Sequence, residues 1–225
     1  MSSILEQFST ADRERAIDPG RTALLSIDMQ NAEWSPQQHA KARVPGSKEA
    51  QKLAFLDRLE TSVIPNQVRL QAAARKAGVE IIYTVIEALT RDGRDISLDH
   101  KISGLFFPKG SWEAGIIEAV APVDDEIVIP KTASGIFNAT NIEYVLRNLG
   151  ITQLVIYGVC TDQCVENAVR DAADRGFLVT LVEDCCAAEE EARHLRAIEA
   201  MAGHYARMRS TDDLIRELEA APLNA

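Results

Sequence analysis

The chain has 225 residues, of which 46% are hydrophobic and 26% are charged, a composition typical of a folded globular protein rather than a disordered one. Its 34 acidic residues outnumber its 24 Lys and Arg residues, and the net charge of -10 disfavours nucleic acid and anionic membranes as partners. No apolar run approaches the roughly 20 residues of a membrane span, and the N-terminus carries charge where a signal peptide is apolar. We therefore expect a cytoplasmic protein with one domain over 1–225, including an N-terminal extension over 1–20.

Short runs rich in Val, Ile and Leu alternate with helical stretches along the chain. Nearly continuous apolar runs are typical of strands that are buried on both faces. The predicted strands span 22–27, 79–86, 126–129, 153–157, 178–182 and, more weakly, 205–208. The predicted helices span 48–77 with an interruption at Pro65, 111–120, 140–149, 163–175, 189–203 and 211–219. Between them, the segment 87–110 is predicted to be a long loop, of the kind that is functional or mobile in many domains.

This alternation predicts an α/β fold with three αβα layers. Its centre is an open, six-stranded, mostly parallel sheet with the strand order 3-2-1-4-5-6. In such a sheet a ligand crevice opens beyond the carboxyl ends of strands 1 and 4. The residues that follow these strands include Asp28 and Cys164, and Lys131 follows strand 3. A carboxylate, a thiol and an ammonium are therefore expected at one edge of the sheet.

These three groups suit acyl transfer through a nucleophilic thiol. A helix start and the Lys131 ammonium would both favour the thiolate of Cys164, which lowers its pKa. Asp28 would accept the thiol proton and return it to a leaving nitrogen. Backbone N–H groups of the turn 158–164 could stabilise the oxyanion of the intermediate. Cys160 is the competing nucleophile, but it precedes the predicted helix and gains less from the helix start.

Other readings of these residues remain open. Structural zinc is disfavoured because the four cysteines form no CxxC motif, and the four histidines show no metal-binding spacing. We expect neither a metal nor a cofactor. A dinucleotide-binding domain lacks the GxGxxG motif, and a phosphoacceptor domain lacks acidic residues beside Asp28. A catalytically silent binding module would have lost one of the three groups, yet all three are present.

Three segments carry a family resemblance: LLSIDMQNA around Asp28, IVIPKTASGIF around Lys131, and LVIYGVCTDQCVENAV around Cys164. The chain resembles the isochorismatase-like cysteine hydrolases over about 22–210. The resemblance implies a catalytic triad of Asp28, Lys131 and Cys164. It also implies a cis peptide bond between Val159 and Cys160, and an oxyanion hole formed by the N–H groups of Cys160 and Cys164.

Two departures narrow the branch of this family. The segment TVIEALTRDGRDISLDH lacks the DxH pair of the nicotinamide-hydrolysing members, whereas members that act on isochorismate lack the cysteine. The chain is therefore most similar to the amidohydrolases of small amides and ureides, such as biuret, triuret, ureidoacrylate and N-carbamoyl compounds.

The same resemblance leads us to expect a homodimer or homotetramer with a small amide or ureide as substrate. The substrate pocket is predicted to use residues near the ends of strands 1 to 3, namely Asn31, Trp34, Glu87, Phe137 and Asn138. A planar, N–H-rich ureide suits Glu87. For an acidic substrate, a basic side chain should reach in to pair with its carboxylate, the candidates being Lys41, Arg43, Arg91 and Arg94.

Overall fold

The structure, a computed structural model, describes residues 10–221. In this part of the chain six strands form one sheet with the order β3-β2-β1-β4-β5-β6. All paired neighbours run parallel, so the predicted α/β fold and strand order are confirmed, with an all-parallel sheet in place of a mostly parallel one. Residues 1–9 of the predicted N-terminal extension lie outside the described residues. The strands are β1 (Thr22–Ile27), β2 (Glu80–Ile86), β3 (Ile127–Lys131), β4 (Gln153–Val159), β5 (Leu178–Ala187) and β6 (Arg207–Arg209).

Helices cover both faces of this sheet, as right-handed crossover connections require. The helices α3 and α9 pack together on one face, and α7 and α8 pack against β4 and β5 on the other. No helix among residues 10–221 is long and apolar enough to cross a membrane. The helices are α1 (Pro36–Ala42), α2 (Leu53–Arg58), α3 (Ile64–Lys76), α4 (Leu98–Ser103), α5 (Ile136–Ala139), α6 (Ile142–Asn148), α7 (Glu166–Asp174), α8 (Glu191–Met201) and α9 (Thr211–Ala220).

The central strands β1 and β4 are buried on both sides, as their continuous apolar sequences predict. All six residues of β1 are buried, and so are six of the seven residues of β4. Close packing at the carboxyl end of this pair requires a glycine. Gly158 has a φ of 130°, and a Cβ at this position would overlap the carbonyl oxygen of Ile27. The strands that carry the predicted site therefore approach more closely than a side chain would permit.

The predicted helix over 111–120 is wrong. Only a 3-10 turn forms there, over Glu118–Val120. The preceding residues run beside the segment that follows β1, with Asn31 N–H donating to Gly115 O at 2.8 Å and Ile117 N–H donating to Met29 O at 2.9 Å. Backbone pairing with this distant segment replaces helical hydrogen bonds and holds the turn after Asp28 in place.

The predicted helix over 48–77 forms with a different irregularity from the one expected. A π-helical turn over Leu59–Val63 precedes α3, in which Pro65 occupies the first turn. Proline has no N–H for the i−4 hydrogen bond, so a wider turn just before it lets the helical path continue.

Three short helices, α1, α4 and α5, were missed by the sequence analysis, and the strand β5 is twice as long as predicted. The helix α1 begins with Ser35 as its N-cap and Pro36 in its first turn, a start signal that the sequence carries. The helix α4 lies inside the predicted loop 87–110 and ends at Gly104, which is left-handed. The strand β5 continues to Ala187 after an irregularity in its pairing with β4, so Cys185 and Cys186 lie in the sheet.

Candidate active site

Asp28 directly follows β1 and turns the chain at the carboxyl edge of the sheet. Its φ of 53° lies in the left-handed region that residues other than glycine rarely adopt. The Asp28 N–H donates to Thr84 O at 3.1 Å, and the Thr84 hydroxyl donates to Asp28 Oδ1 at 2.8 Å. Hydrogen bonds to β2 thus fix a carboxylate that is only 2% exposed, with Oδ2 directed away from Thr84.

Lys131 ends β3 and is completely buried. Its Nζ lies 2.9 Å from Asp28 Oδ2 and donates hydrogen bonds to Ala133 O at 3.1 Å and to Cys164 Sγ at 3.4 Å. Burial disfavours the ammonium, but Asp28 and Cys164 outweigh it, so the pKa of Lys131 lies above its usual value. The structure thus brings the three predicted residues together around one charged nitrogen.

Cys164 lies on the connection from β4 to α7. This connection is a π-helical turn over Thr161–Val165, so the helical path begins earlier than the predicted 163. The side chain of Cys164 is 6% exposed. The Val159–Cys160 peptide bond that precedes the turn is cis, as the resemblance implies.

The Cys164 thiol is protonated at rest. Burial and the negative charge of Asp28 raise its pKa to about 12, although Lys131 acts in the opposite direction. The expectation that the pKa of Cys164 is lowered is therefore wrong for the resting protein. The sequence places the ammonium and the thiol together, but it does not reveal that both are withdrawn from water beside a carboxylate.

A buried network supports the turn that carries the thiol. The His194 ring bonds Thr161 Oγ1 through Nδ1 at 2.8 Å and Arg58 Nη2 through Nε2 at 2.9 Å. Burial and the nearby Arg58 lower the pKa of His194 to about 4, so its ring is neutral at pH 7. Because the guanidinium can only donate, Nε2 accepts and Nδ1–H donates to Thr161.

Asn31 and Trp34 lie close to the site in sequence, but they line a neighbouring cleft. This cleft has a volume of about 540 Å³, and Asp28, Lys131 and Cys164 are absent from its lining. The Asn31 amide donates to Trp112 O at 2.9 Å, so the side chain of Asn31 holds the 112–115 segment. The Trp34 indole N–H is buried without an acceptor among the residues that the structure describes.

The other three predicted pocket residues differ in their surroundings. Glu87 Oε1 accepts a hydrogen bond from Gly110 N–H at 2.7 Å, so it anchors the loop after α4. Phe137 packs in the core, with its ring centroid 6.1 Å from that of Phe177, which precedes β5. Asn138 is exposed on α5.

Sequence reasoning missed two groups near the site. Glu33 is half-buried in the turn after β1, and its carboxyl group interacts electrostatically with both Asp28 and Lys131. His100 of α4 is 1% exposed, and neither of its ring nitrogens has a hydrogen-bond partner within residues 10–221. Glu33 stands five residues after Asp28, which was a usable signal, whereas nothing in the sequence marks His100. Within the same range, no three His, Cys, Asp or Glu residues are grouped as metal ligands.

Similarity to known proteins agrees with this geometry. Residues 22–213 match the family described as the isochorismatase domain. The chain is 30% identical over 188 residues to ureidoacrylate amidohydrolase from Agrobacterium fabrum, an alignment that covers 75% of this chain and 76% of that protein. It is also 30% identical over 207 residues to N-carbamoylsarcosine amidase from Arthrobacter sp, covering 90% of this chain and 73% of that protein. Both are amidohydrolases of carbon–nitrogen bonds other than peptide bonds, the predicted class of enzyme.

Solved structures share the fold at lower identity. A cysteine hydrolase from Pseudomonas syringae pv. phaseolicola 1448A superposes with a TM-score of 0.77 at 22% identity, covering 92% of this chain and 97% of that chain. N-carbamoylsarcosine amidase from Thermoplasma acidophilum gives a TM-score of 0.64 at 21% identity, with coverages of 85% and 97%. The match over 22–213 and the two relatives at 30% identity show that this chain belongs to the isochorismatase family.

Proposed function

We propose that this protein is a cysteine-dependent amidohydrolase. It cleaves a C–N bond of a small linear amide or ureide, of the biuret or triuret, ureidoacrylate or N-carbamoyl type, through a thioester. The observation that carries the proposal is the position of Lys131 Nζ, 2.9 Å from Asp28 Oδ2 and 3.4 Å from Cys164 Sγ. The named relatives, which act on ureidoacrylate and N-carbamoylsarcosine, support the substrate class.

In the first half of the reaction, Cys164 Sγ attacks the carbonyl carbon of the substrate. Because the thiol is protonated at rest, its proton moves to Asp28 as the S–C bond forms. The Lys131 ammonium stabilises the negative charge that develops on sulfur, and the N–H groups of Cys160 and Cys164 bind the oxyanion. When the intermediate collapses, the C–N bond breaks and Asp28 returns the proton to the leaving nitrogen, which departs as ammonia or an amine.

In the second half, water hydrolyses the thioester. Asp28 takes a proton from the attacking water, and the C–O bond forms at the same carbonyl. The S–C bond then breaks, and the proton on Asp28 returns to Cys164 Sγ. One carboxylate thus performs both proton transfers, which requires it to stay within reach of sulfur and water. The enzyme is regenerated with a neutral thiol, an ammonium and a carboxylate.

The test is the release of ammonia or amine from biuret, ureidoacrylate, N-carbamoyl amino acids and simple aliphatic amides. We expect the wild type to turn over at least one of these compounds, Cys164→Ala to abolish that turnover, and Cys160→Ala only to weaken it. Circular dichroism of each variant checks that the fold is retained. Near-normal turnover by Cys164→Ala, or no turnover of any compound by the wild type, would contradict the proposal.

A further inference from the structure

Glu33 is an acidic group that interacts electrostatically with the proposed site and that the proposed chemistry does not use. It lies in the turn after β1, where its N–H donates to Gln30 O at 3.0 Å, and it is half-buried. Its carboxyl group raises the pKa of the Cys160 thiol more than any other nearby charge does, and it also interacts electrostatically with Asp28 and Lys131. Glu33 is therefore partly exposed to solvent and still within electrostatic range of the buried triad.

The carboxyl group of Glu33 has no hydrogen-bond or ion-pair partner within residues 10–221, unlike the charged groups around it. Two lysines act electrostatically on Glu33. Lys52 Nζ pairs with Glu189 Oε1 at 2.7 Å, and Lys131 pairs with Asp28 at 2.9 Å. The structure thus leaves one acidic group unpaired at a position where both neighbouring cations are already neutralised.

Two arginines linked to the turn that carries Cys164 are also paired. Arg58 Nη1 lies 2.9 Å from Glu191 Oε2, and Arg193 forms an ion pair with Asp162. A substrate carboxylate that entered this site would have to displace one of these acidic partners.

None of the four basic residues that the sequence offered for an acidic substrate is among the charges that act on Glu33, Lys131 or Cys164. Arg43 is exposed and lies 3.6 Å from Asp57, and Arg94 is exposed and lies 2.9 Å from Asp92. Lys41 and Arg91 are also exposed. Among these charged groups, the unpaired one that interacts with the triad is Glu33, which is acidic rather than basic.

We propose that Glu33 determines substrate specificity: the substrate presents N–H donors to Glu33 at the end remote from the scissile bond, and it carries no carboxylate there. The remote group is an ammonium or a neutral amide NH₂. The inference rests on the proposed function, since it assumes that the scissile carbonyl lies beside Cys164.

The charges around Glu33 explain the preference for a substrate with N–H donors and no carboxylate. An ammonium or amide NH₂ supplies the hydrogen bonds that Glu33 lacks, and an ammonium also stabilises its ionised form. Burial raises the pKa of Glu33 to about 7, with Asp28 and Glu189 adding to the effect of burial against Lys52 and Lys131. A second carboxylate would add like charge beside Glu33 and Asp28, which disfavours both binding and ionisation.

The experiment uses four ureas that differ at the remote end. N-(2-aminoethyl)urea is cationic, biuret is neutral with an amide NH₂, N-propylurea has an apolar end, and N-carbamoylglycine has a carboxylate. We measure kcat/KM with the wild type, and we measure binding to Cys164→Ala by calorimetry at pH 8. The wild type should favour the aminoethyl compound or biuret over N-carbamoylglycine by about tenfold or more, as expected for a hydrogen bond to a charged group. The order of the first two distinguishes an ammonium from an amide.

Glu33→Gln should reduce the preference for the cationic urea about tenfold, and Glu33→Lys should favour N-carbamoylglycine. Glu190→Gln, at an exposed carboxylate near Glu189, is the matched control and should leave the preference unchanged. Wild-type preference for N-carbamoylglycine, unaltered discrimination in Glu33→Gln, or no binding of any of the four compounds would overturn the inference. If Cys164-dependent turnover accompanies one of the first two results, the proposed function stands without this role of Glu33. Selective, Glu33-dependent binding without turnover would instead support the inference against the proposed chemistry.

Discussion

Two pairs of cysteines lie near the carboxyl edge of the sheet: Cys160 with Cys164, and Cys185 with Cys186. Members of the two pairs differ in the groups around the thiol more than in the pKa of the thiol. Cys164 and Cys186 are both buried, and burial raises the pKa of each thiol to about 12. Cys164 Sγ, however, lies 3.4 Å from the Lys131 ammonium, whereas Cys186 donates to Val182 O at 3.3 Å. A high resting pKa therefore does not distinguish Cys164, the proposed nucleophile, from Cys186, whereas the adjacent ammonium and carboxylate do.

The largest expected effect comes from deleting each thiol in turn. Cys164→Ala should lower kcat/KM by at least about 10⁴-fold, since it removes the sulfur on which the proposed thioester forms. Cys186→Ala removes a buried sulfur and should cost about 1–2 kcal/mol of stability, while kcat/KM stays within about twofold. Steady-state amine release and urea unfolding measure the two quantities. Equal losses of turnover in both variants would show that Cys164 and Cys186 do not differ in their role in the reaction.

Replacing Lys131, the neighbour of the Cys164 thiol, tests whether the ammonium is what separates Cys164 from Cys186. Lys131→Met keeps Cys164 but leaves the Asp28 carboxylate buried without its cation. We expect a loss of about 3–5 kcal/mol in the free energy of unfolding, the usual cost of breaking a buried ion pair, together with a fall in kcat. Lys76→Met, at an exposed lysine in α3, is the control and should change neither value.

The double variant Asp28→Asn/Lys131→Met removes the stranded charge and should recover part of the stability but none of the turnover. A stable Lys131→Met protein with normal kcat would show that the ammonium is not what distinguishes Cys164 from Cys186.

The sequence predicted the three central residues correctly as neighbours because parallel strands end at one edge of the sheet. Asp28, Lys131 and Cys164 each follow an apolar run that can be recognised without a structure. Their protonation could not be predicted in the same way, since pKa values depend on burial and on the sum of several charges.

Non-local pairing explains the largest error in the fold. The residues from 111 to 120 have helical composition, yet Ile117 N–H bonds to Met29 O, far away in sequence. Similarly, the strand β5 extends as far as Ala187 because β4 is available beside it. Local patterns predicted the elements that satisfy their own hydrogen bonds, and they failed where a distant segment supplies the partner.

The two cysteine regions are connected through Arg58 and His194, and this connection should depend on pH. Arg58 Nε donates to Cys186 O at 3.2 Å, while His194 bonds Arg58 and Thr161. The folded pKa of His194, about 4, lies below its unfolded value of about 6.5. Stability from the neutral ring is therefore complete above pH 6.5 and is lost as the pH falls towards 4.

This loss should reach about 3 kcal/mol at most, taking 1.36 kcal/mol per unit of pKa shift. Urea unfolding from pH 7 to pH 4 measures it, with His194→Gln as the comparison. The variant is expected to be less stable at pH 7 and to lose less stability on acidification. Parallel pH profiles for the two proteins would show that His194 does not titrate with unfolding.

The smallest expected effect is the change in stability on replacing Glu33. The charge of Glu33 raises the pKa of Cys160, but it is not among the charges that act on Cys185 and Cys186. The folded pKa of Glu33, about 7, lies above its ordinary value of 4.5, so its contribution to stability is complete below pH 4.5 and is lost as the pH rises through 7. The glutamine side chain of Glu33→Gln cannot ionise, so this variant does not lose stability in the same way as the pH rises. Relative to the wild type, its free energy of unfolding should increase by about 1–2 kcal/mol between pH 4.5 and pH 8, after allowing for the partial exposure of Glu33. Urea unfolding at both pH values tests this, with Glu190→Gln as the control that should show no such dependence. A difference between wild type and Glu33→Gln that is the same at both pH values would mean that Glu33 is ionised as easily in the fold as in water.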